Sequence, residues 1–280
     1  MRKPIWWVAA GLVLIGAAVL FFSWRASRAP VAAQSAIAPS ASAPIGTTPG
    51  VQNPVPASQA GTAPLPTLEA SDLPVHDALG GLIGAQKVDG IFKPAMLVRH
   101  IVVTIDNLPR KRAAVELRPT KPLGGRFIAS GDEQHSSIDP ANYQRYAAYV
   151  QIVQMLDTKQ LAALYFHFYP LFQQAYQDLG YPNGYFNDRL IETIDDLLAT
   201  PQVAGDIALV QPNVMYQFAD PKLEQLSAGQ KLLLRVGPQN AAIIEAKLRE
   251  LRAEISQRTR DTDRSRGAAN SGAGAGAAKG

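Results

Sequence analysis

Between Arg28 and Glu69 the chain carries no charged side chain, and eight of the intervening residues are proline. Ala, Ser, Gly, Thr and Gln make up most of the rest. Such a composition buries too little apolar surface to offset the entropy of ordering it, so residues 25–66 are expected to form an extended, disordered linker. A packed core is thereby confined to the residues beyond it. At a polyproline-like rise of about 3.1 Å per residue, a segment of this length reaches on the order of 120 Å when fully drawn out.

The residues ahead of the linker are apolar. Residues 5–24, "IWWVAAGLVLIGAAVLFFSW", contain no charge. Twenty helical residues at about 1.5 Å each span about 30 Å, the hydrocarbon thickness of a bilayer. All three tryptophans, Trp6, Trp7 and Trp24, stand at the ends of this segment, where an indole prefers the membrane–water interface. The expectation is an uncleaved single transmembrane helix, with residues 1–4 as a short cytoplasmic end and the lipid bilayer as its partner. A cleaved signal peptide, with Val31 and Ala33 at the cleavage site, is the alternative. The apolar core exceeds the roughly 7–15 residues usual for one. Arg2 and Lys3 on one side nearly balance Arg25 and Arg28 on the other. The long uncharged tether favours the N-terminus inside, which implies a single-pass inner (cytoplasmic) membrane protein with a periplasmic C-terminal domain. The chain has no cysteine. That excludes a lipid-modified cysteine anchor, disulfides, thiolate catalysis and Cys-ligated zinc.

The sequence pI of about 9.3 belongs to the ends. Residues 69–257 hold 18 Lys and Arg against 21 Asp and Glu, a net charge of −3. A globular nucleic-acid binder carries its cations on the body, so no nucleic-acid partner is expected. The stretch from Arg258 onwards mixes charges with Gly and Ala and shows no hydrophobic period, so 258–280 reads as a disordered tail. Its "GAGAG" lacks the strand and helix that a phosphate loop requires.

Residues 67–257 read as one mostly helical, mainly α domain with a small β element. Ser71 and Asp72 offer N-caps before a short helix weakened by Gly80 and Gly81. The run 96–108 reads as a helix or a strand. As a strand it would gather His100, Thr104 and Asp106 on one face; as a helix it buries Leu97, Ile101, Ile105 and Leu108. Pro94 and Pro109 frame it, and its length favours the helix. Asp139-Pro140 signals a helix start. Leu161, Leu164, Tyr165, Phe168, Phe172 and Tyr176 recur at helical spacing until Gly180 and Pro182. Within them "YFHFYP" puts aromatic or imidazole side chains on every face, as a central core helix would, with a kink at Pro170; a surface for carbohydrate or peptide stacking is the alternative. Asn187 is expected to cap a helix whose apolar face is Leu190, Ile191, Ile194, Leu197 and Leu198. Asp220-Pro221 starts another helix, and Ser227 with Gln230 forms a capping box. Gly237 then ends one helix and Pro238 opens the last. "RFIAS" (126–130) and "VMYQF" (214–218) are the strand signals, and they are able to pair.

"VVTIDNLPR" (102–110) and "YQFADPKLEQLSAGQKLLLRVGPQNA" (216–241) resemble the bacterial family called domain of unknown function 3014, over about residues 67–256. An N-terminal membrane segment and a Pro/Ala-rich linker fit that resemblance. It implies that 67–256 is one unit and brings no activity, substrate or catalytic residue with it.

Signals for chemistry are sparse. His76, His100, His135 and His167 lie in separate segments, and no H-E-x-x-H, G-x-S-x-G, P-loop or dinucleotide fingerprint occurs. No catalytic residue, metal ligand or cofactor is assigned. "GDEQHSSID" (131–139) is the best local cluster: Asp132, Glu133, His135 and Ser136 suit either a metal or acid–base loop, or a polar turn leading to the Asp139 cap. Asp195-Asp196 reads as a solvated helix surface, and Arg235 as a partner for Asp106. Arg110, Lys111, Arg112, Arg118, Lys121 and Arg126 are opposed only by Glu116. They suit a solvated loop behind a helix C-terminus. They also suit contact with an anionic partner: lipid headgroups, an envelope protein or cell-wall carboxylates. The expectation is a membrane-anchored, non-catalytic binding or scaffolding domain. An envelope hydrolase or metal-assisted enzyme around 131–139, and a periplasmic small-ligand sensor, are the alternatives.

Overall fold

Pro94 and Pro109 do bracket a helix, and its stripe of Leu97, Ile101, Ile105 and Leu108 is buried throughout. In the computed structural model, which describes residues 51–55, 64–132, 135–213 and 215–276, this helix is α3 (Leu97–Asn107). It follows α1 (Asp72–Ile83) and α2 (Ala85–Ile91). Its start is capped from outside. Asp72, the first residue of α1, accepts the backbone N–H of Met96 and of Leu97, both at 2.8 Å. The Asp72 carboxylate thus satisfies donors at the head of another helix. Ser71, expected as a side-chain cap, instead donates its hydroxyl to Leu68 O.

The rest of the helices are α4 (Ala141–Gln144), α5 (Ala147–Met155), α6 (Thr158–Asp178), α7 (Phe186–Leu198), α8 (Pro221–Glu224), α9 (Ala228–Val236) and α10 (Pro238–Gly276). Helix α6 packs against α3, α7 and α10, and α10 also covers α5, α7 and α9. The "YFHFYP" segment is central: Tyr165, Phe166, Phe168 and Tyr169 are all buried. Pro170 lies within α6 at an exposed position, and the helix continues past it to Asp178.

Four short strands, β1 (Ala129–Ser130), β2 (Ser136–Ile138), β3 (Ala208–Val210) and β4 (Gln217–Phe218), form an antiparallel sheet in chain order. The two segments with strand signals hold its edges and do not pair with each other. The intervening β2 and β3 are three residues each, too short to show a period of two. A second, smaller core of Ile138, Ile207, Leu209 and Phe218 joins the sheet to Leu234 of α9.

Three expectations need correction. The chain from Arg258 is helical through Gly276. Arg258 donates to Glu254 at 2.8 Å and to Lys159 O at 3.1 Å, and Thr259 is buried. Helix contacts of this kind need no hydrophobic period of their own. Residues 51–55, expected within a disordered linker, lie against the body. Asn187 does not cap α7; it sits buried inside it. The expected transmembrane helix 5–24, with Trp6, Trp7 and Trp24, lies outside the described residues. Among the described residues no helix is long and apolar enough to cross a membrane.

Candidate functional site: a tyrosine-lined charged cleft

Asp106 closes the last turn of α3, and its side chain is 6% exposed. Taking a carboxylate out of water is costly unless it is paired and hydrogen-bonded. Arg189 of α7 approaches Oδ1 through Nε at 3.1 Å, and Arg110 approaches Oδ2 through Nη2 at 2.8 Å. Both guanidinium groups also donate to the Asp106 backbone oxygen, and Tyr181 OH donates to Oδ2 at 3.4 Å. Arg189 is 14% exposed and Arg110 48%, so Arg189 is the interior partner and Arg110 the rim partner. Burial works against the charge on Arg110, but Asp106 and Tyr181 outweigh it and hold the guanidinium above its ordinary range.

Around this pair opens a cavity of about 650 Å³, lined by Asp106, Arg110, Tyr176, Tyr181, Asp188 and Arg189 among others. Tyr176 and Tyr181 stack at 4.6 Å between centroids, with rings 19° apart. Burial, and then the nearby Asp106, pushes the Tyr176 hydroxyl up to about 12. Its ring is therefore a neutral surface. The turn that carries Tyr181 and Tyr185 is held from α6: Gln173 donates to Gly184 O at 2.8 Å and accepts from Phe186 N at 2.9 Å.

One wall of the cavity is chain from the tether, Val51 and Gln52. The Asp188 carboxylate accepts Gln52 N–H at 3.1 Å and Asn53 N–H at 2.7 Å. Asn187 donates to Asn53 O at 2.9 Å, and Tyr185 OH accepts Val55 N–H. The Val55 side chain packs on the helical core. Asn187 is itself held by the buried Tyr165 hydroxyl at 2.9 Å.

The segment after α3 is tied to α9 through the main chain. Ala228 N donates to Arg110 O at 2.6 Å and Gly229 N to Leu108 O at 2.9 Å, which satisfies two donors in the first turn of α9. Gly229 is required by closeness: a Cβ there would stand 2.5 Å from Leu197 Cδ2 and 3.3 Å from Leu108 O. Arg235, read as the partner of Asp106, instead lies buried with its guanidinium 4.5 Å from the Phe218 ring centre. Burial lowers its pKa to about 10.

The six cations of 110–126 do not converge on one site. Arg110 serves the cleft. Arg118 is buried, donates to Thr120 O at 3.0 Å, and is lowered by that burial. Lys121 reaches Asp89 O at 2.6 Å. Lys111, Arg112 and Arg126 are exposed.

Within 131–139, Ser136–Ile138 form β2, and the described polar groups on either side are tied by hydrogen bonds. Asp132 accepts His135 N–H at 2.8 Å, Ser136 donates to Asp132 O at 2.6 Å, and Asp139 accepts Ala141 N–H at 2.7 Å. Glu133 lies outside the described residues. Among the described residues no group of three or more His, Asp or Glu is arranged to hold a metal ion. Asp196 is not merely solvated, since it accepts from Ser227 Oγ at 2.6 Å. Burial, as the largest cause, raises its pKa.

Sequence reasoning missed Tyr181, Tyr185, Asp188 and Arg189. Their only trace is the polar and aromatic density of "YPNGYFNDR" ahead of a helix, which a capped turn explains equally well. Together these features define a helix-dominated domain with a small antiparallel sheet and a charged, tyrosine-lined cleft. The family model described as "Protein of unknown function (DUF3014)" matches residues 97–252, more than half of the chain, and the chain belongs to that family. The match contains Asp106, Arg110, Tyr181 and Arg189; the 51–55 segment lies outside it. Comparison with curated proteins and with solved structures returns no significant match.

Proposed function

We propose that the protein is a non-catalytic binding or scaffolding domain of the cell envelope, anchored in the inner membrane through residues 5–24, with the cleft as its binding surface. The observation that carries this reading is how the cleft divides its polar groups. Both Asp106 oxygens are taken by guanidinium donors, so the buried carboxylate holds α3 to α7 and is not presented to a substrate as a base. The rim, by contrast, offers stacked tyrosines and the half-exposed Arg110. Aromatic rings and arginine are the side chains that carry most binding energy at protein interfaces. Lys111 and Arg112, next in sequence to Arg110, are exposed cations suited to an acidic partner. Support for the anchor is the uncharged, tryptophan-flanked sequence of 5–24.

Two measurements test the proposal. Alkaline carbonate should leave the full-length protein with membranes and release a chain lacking residues 5–24. A photo-crosslinking residue at Asn183, on the cleft rim, should give a discrete adduct in intact cells. That adduct should weaken in an Arg110→Ala, Tyr181→Ala background and be absent when the crosslinker stands at Arg249. Loss of the full-length chain to the carbonate wash would refute the anchor, and an adduct equally strong from both positions would refute the cleft.

A further inference from the structure

The groups that hold residues 51–55 recognise backbone. Asp188 takes two successive N–H groups, Asn187 reaches the carbonyl of Asn53, and Tyr185 takes the N–H of Val55. The proline at 54 has no N–H, and the groove asks for none there. An additional side-chain bond runs from Asn53 Nδ2 to Asp188 at 2.9 Å, and the Val55 side chain rests on the core. All three receptors come from the start of α7 and the residue just ahead of it. They are held from behind by Tyr165 and Gln173, whose bonds do not involve the strap.

A surface that reads main-chain donors and acceptors accepts any segment that bends to turn successive N–H groups towards one carboxylate. We propose that this cleft is a groove for a bent, proline-containing polypeptide segment, and that the chain's own residues 51–55, which bend at Gln52 and Asn53, are its resting occupant. A partner segment then enters by displacing them. The proposal rests on the reading of the cleft as a binding surface and adds the ligand class and its built-in competitor. The competitor is effective because it is covalently joined. Only eight residues separate Val55 from Pro64, and a short connection gives an effective concentration on the order of millimolar. A free peptide of equal intrinsic affinity is therefore excluded at lower concentrations. Displacement would also return residues 51–55 to the tether and lengthen it on the side of the body.

The test uses full-length protein in detergent and a fluorescent peptide with the sequence of residues 49–57, PGVQNPVPA. Gln52→Pro with Asn53→Pro removes both N–H donors to Asp188, together with the Asn53 side-chain bond and the bend that the two residues form. This variant should bind the peptide about tenfold or more tighter than the wild type, and adding Asp188→Ala should abolish the gain. Asp188→Asn, which keeps the side-chain shape, should reduce it. In the wild type, the amides of Gln52 and Asn53 should exchange with deuterium well below unstructured rates. Equal, measurable affinity in the wild type and the proline variant would overturn the resident competitor and leave the binding surface standing. No binding by either protein would overturn the peptide groove itself.

Discussion

At the scale of single residues, Asp106 decides how α3 meets α7. Removing one member of a buried ion pair leaves the other charge without its partner, at a cost of about 3–5 kcal/mol. Asp106→Asn should therefore lower the urea midpoint markedly, since it leaves the interior Arg189 facing a neutral amide. Arg110→Ala should cost about 1 kcal/mol or less, because an exposed partner is already solvated. Comparable losses from both variants would show that the rim arginine is structural. Gly229 offers a second test. Leu197 is able to give way before a new Cβ, but the Leu108 carbonyl is main chain. Gly229→Ala should thus destabilise by about 1–3 kcal/mol, as overpacking does, read as a lower thermal midpoint. Neither role is legible from residue type alone: in the sequence Asp106 is one acid among several, and nothing in it favours Arg189 over Arg235 as the partner. Pairing across 83 positions leaves no local spacing to read.

At the scale of elements, the start and stop signals were the most legible part of the chain. The Ser227–Gln230 capping box, Asp220 ahead of Pro221, and Gly237 between α9 and α10 stand where local chemistry puts them. Each depends on bonds within a few residues, and Gly237 also needs the open φ of 89° that an L side chain avoids. Ser227→Ala should cost about 1 kcal/mol from the lost cap, and more if the bond to Asp196 matters. Gln230→Ala, measured beside it by urea unfolding, separates the two contributions. The exceptions are caps supplied by other elements: α3 takes its cap from Asp72, and Asn187 is drawn into the body by Tyr165 and Asn53. The end of α10 was missed for the same reason. Arg258 and Thr259 hold the helix by contacts with α6 and with the preceding turn of α10. A chain ending at Gln257 should consequently melt lower than one ending at Arg260, and equal midpoints would place the working end of the helix earlier.

At the scale of the whole molecule, acidity should weaken the fold. Burial holds the imidazoles of His100 and His167 below their ordinary value of 6.5; Lys93 adds to the effect at His100, and Asp72 opposes it. As pH falls through that value the unfolded chain takes up protons that the folded one refuses. Stability rises with pH wherever the unfolded state binds more protons. The contribution of these two groups is thus full above about pH 6.5 and lost as pH falls towards their lowered folded values. Urea midpoints at about pH 7.5 and about pH 5.5 should differ in that direction, and the difference should shrink in a His100→Gln, His167→Gln chain. An unchanged difference would assign the effect to the carboxylates. The sequence by itself determined the mainly helical class, the buried stripes of α3, α6 and α7 and most helix ends, because periodicity, prolines and caps act over one or two turns. Only the tertiary structure decided that Asp106 belongs to Arg189, that the two strand signals lie at opposite edges of one sheet, and that a stretch of tether forms one wall of the cleft. Those outcomes depend on which distant groups meet once the helices pack, where the cost of burying a charge or an unpaired amide selects the partner.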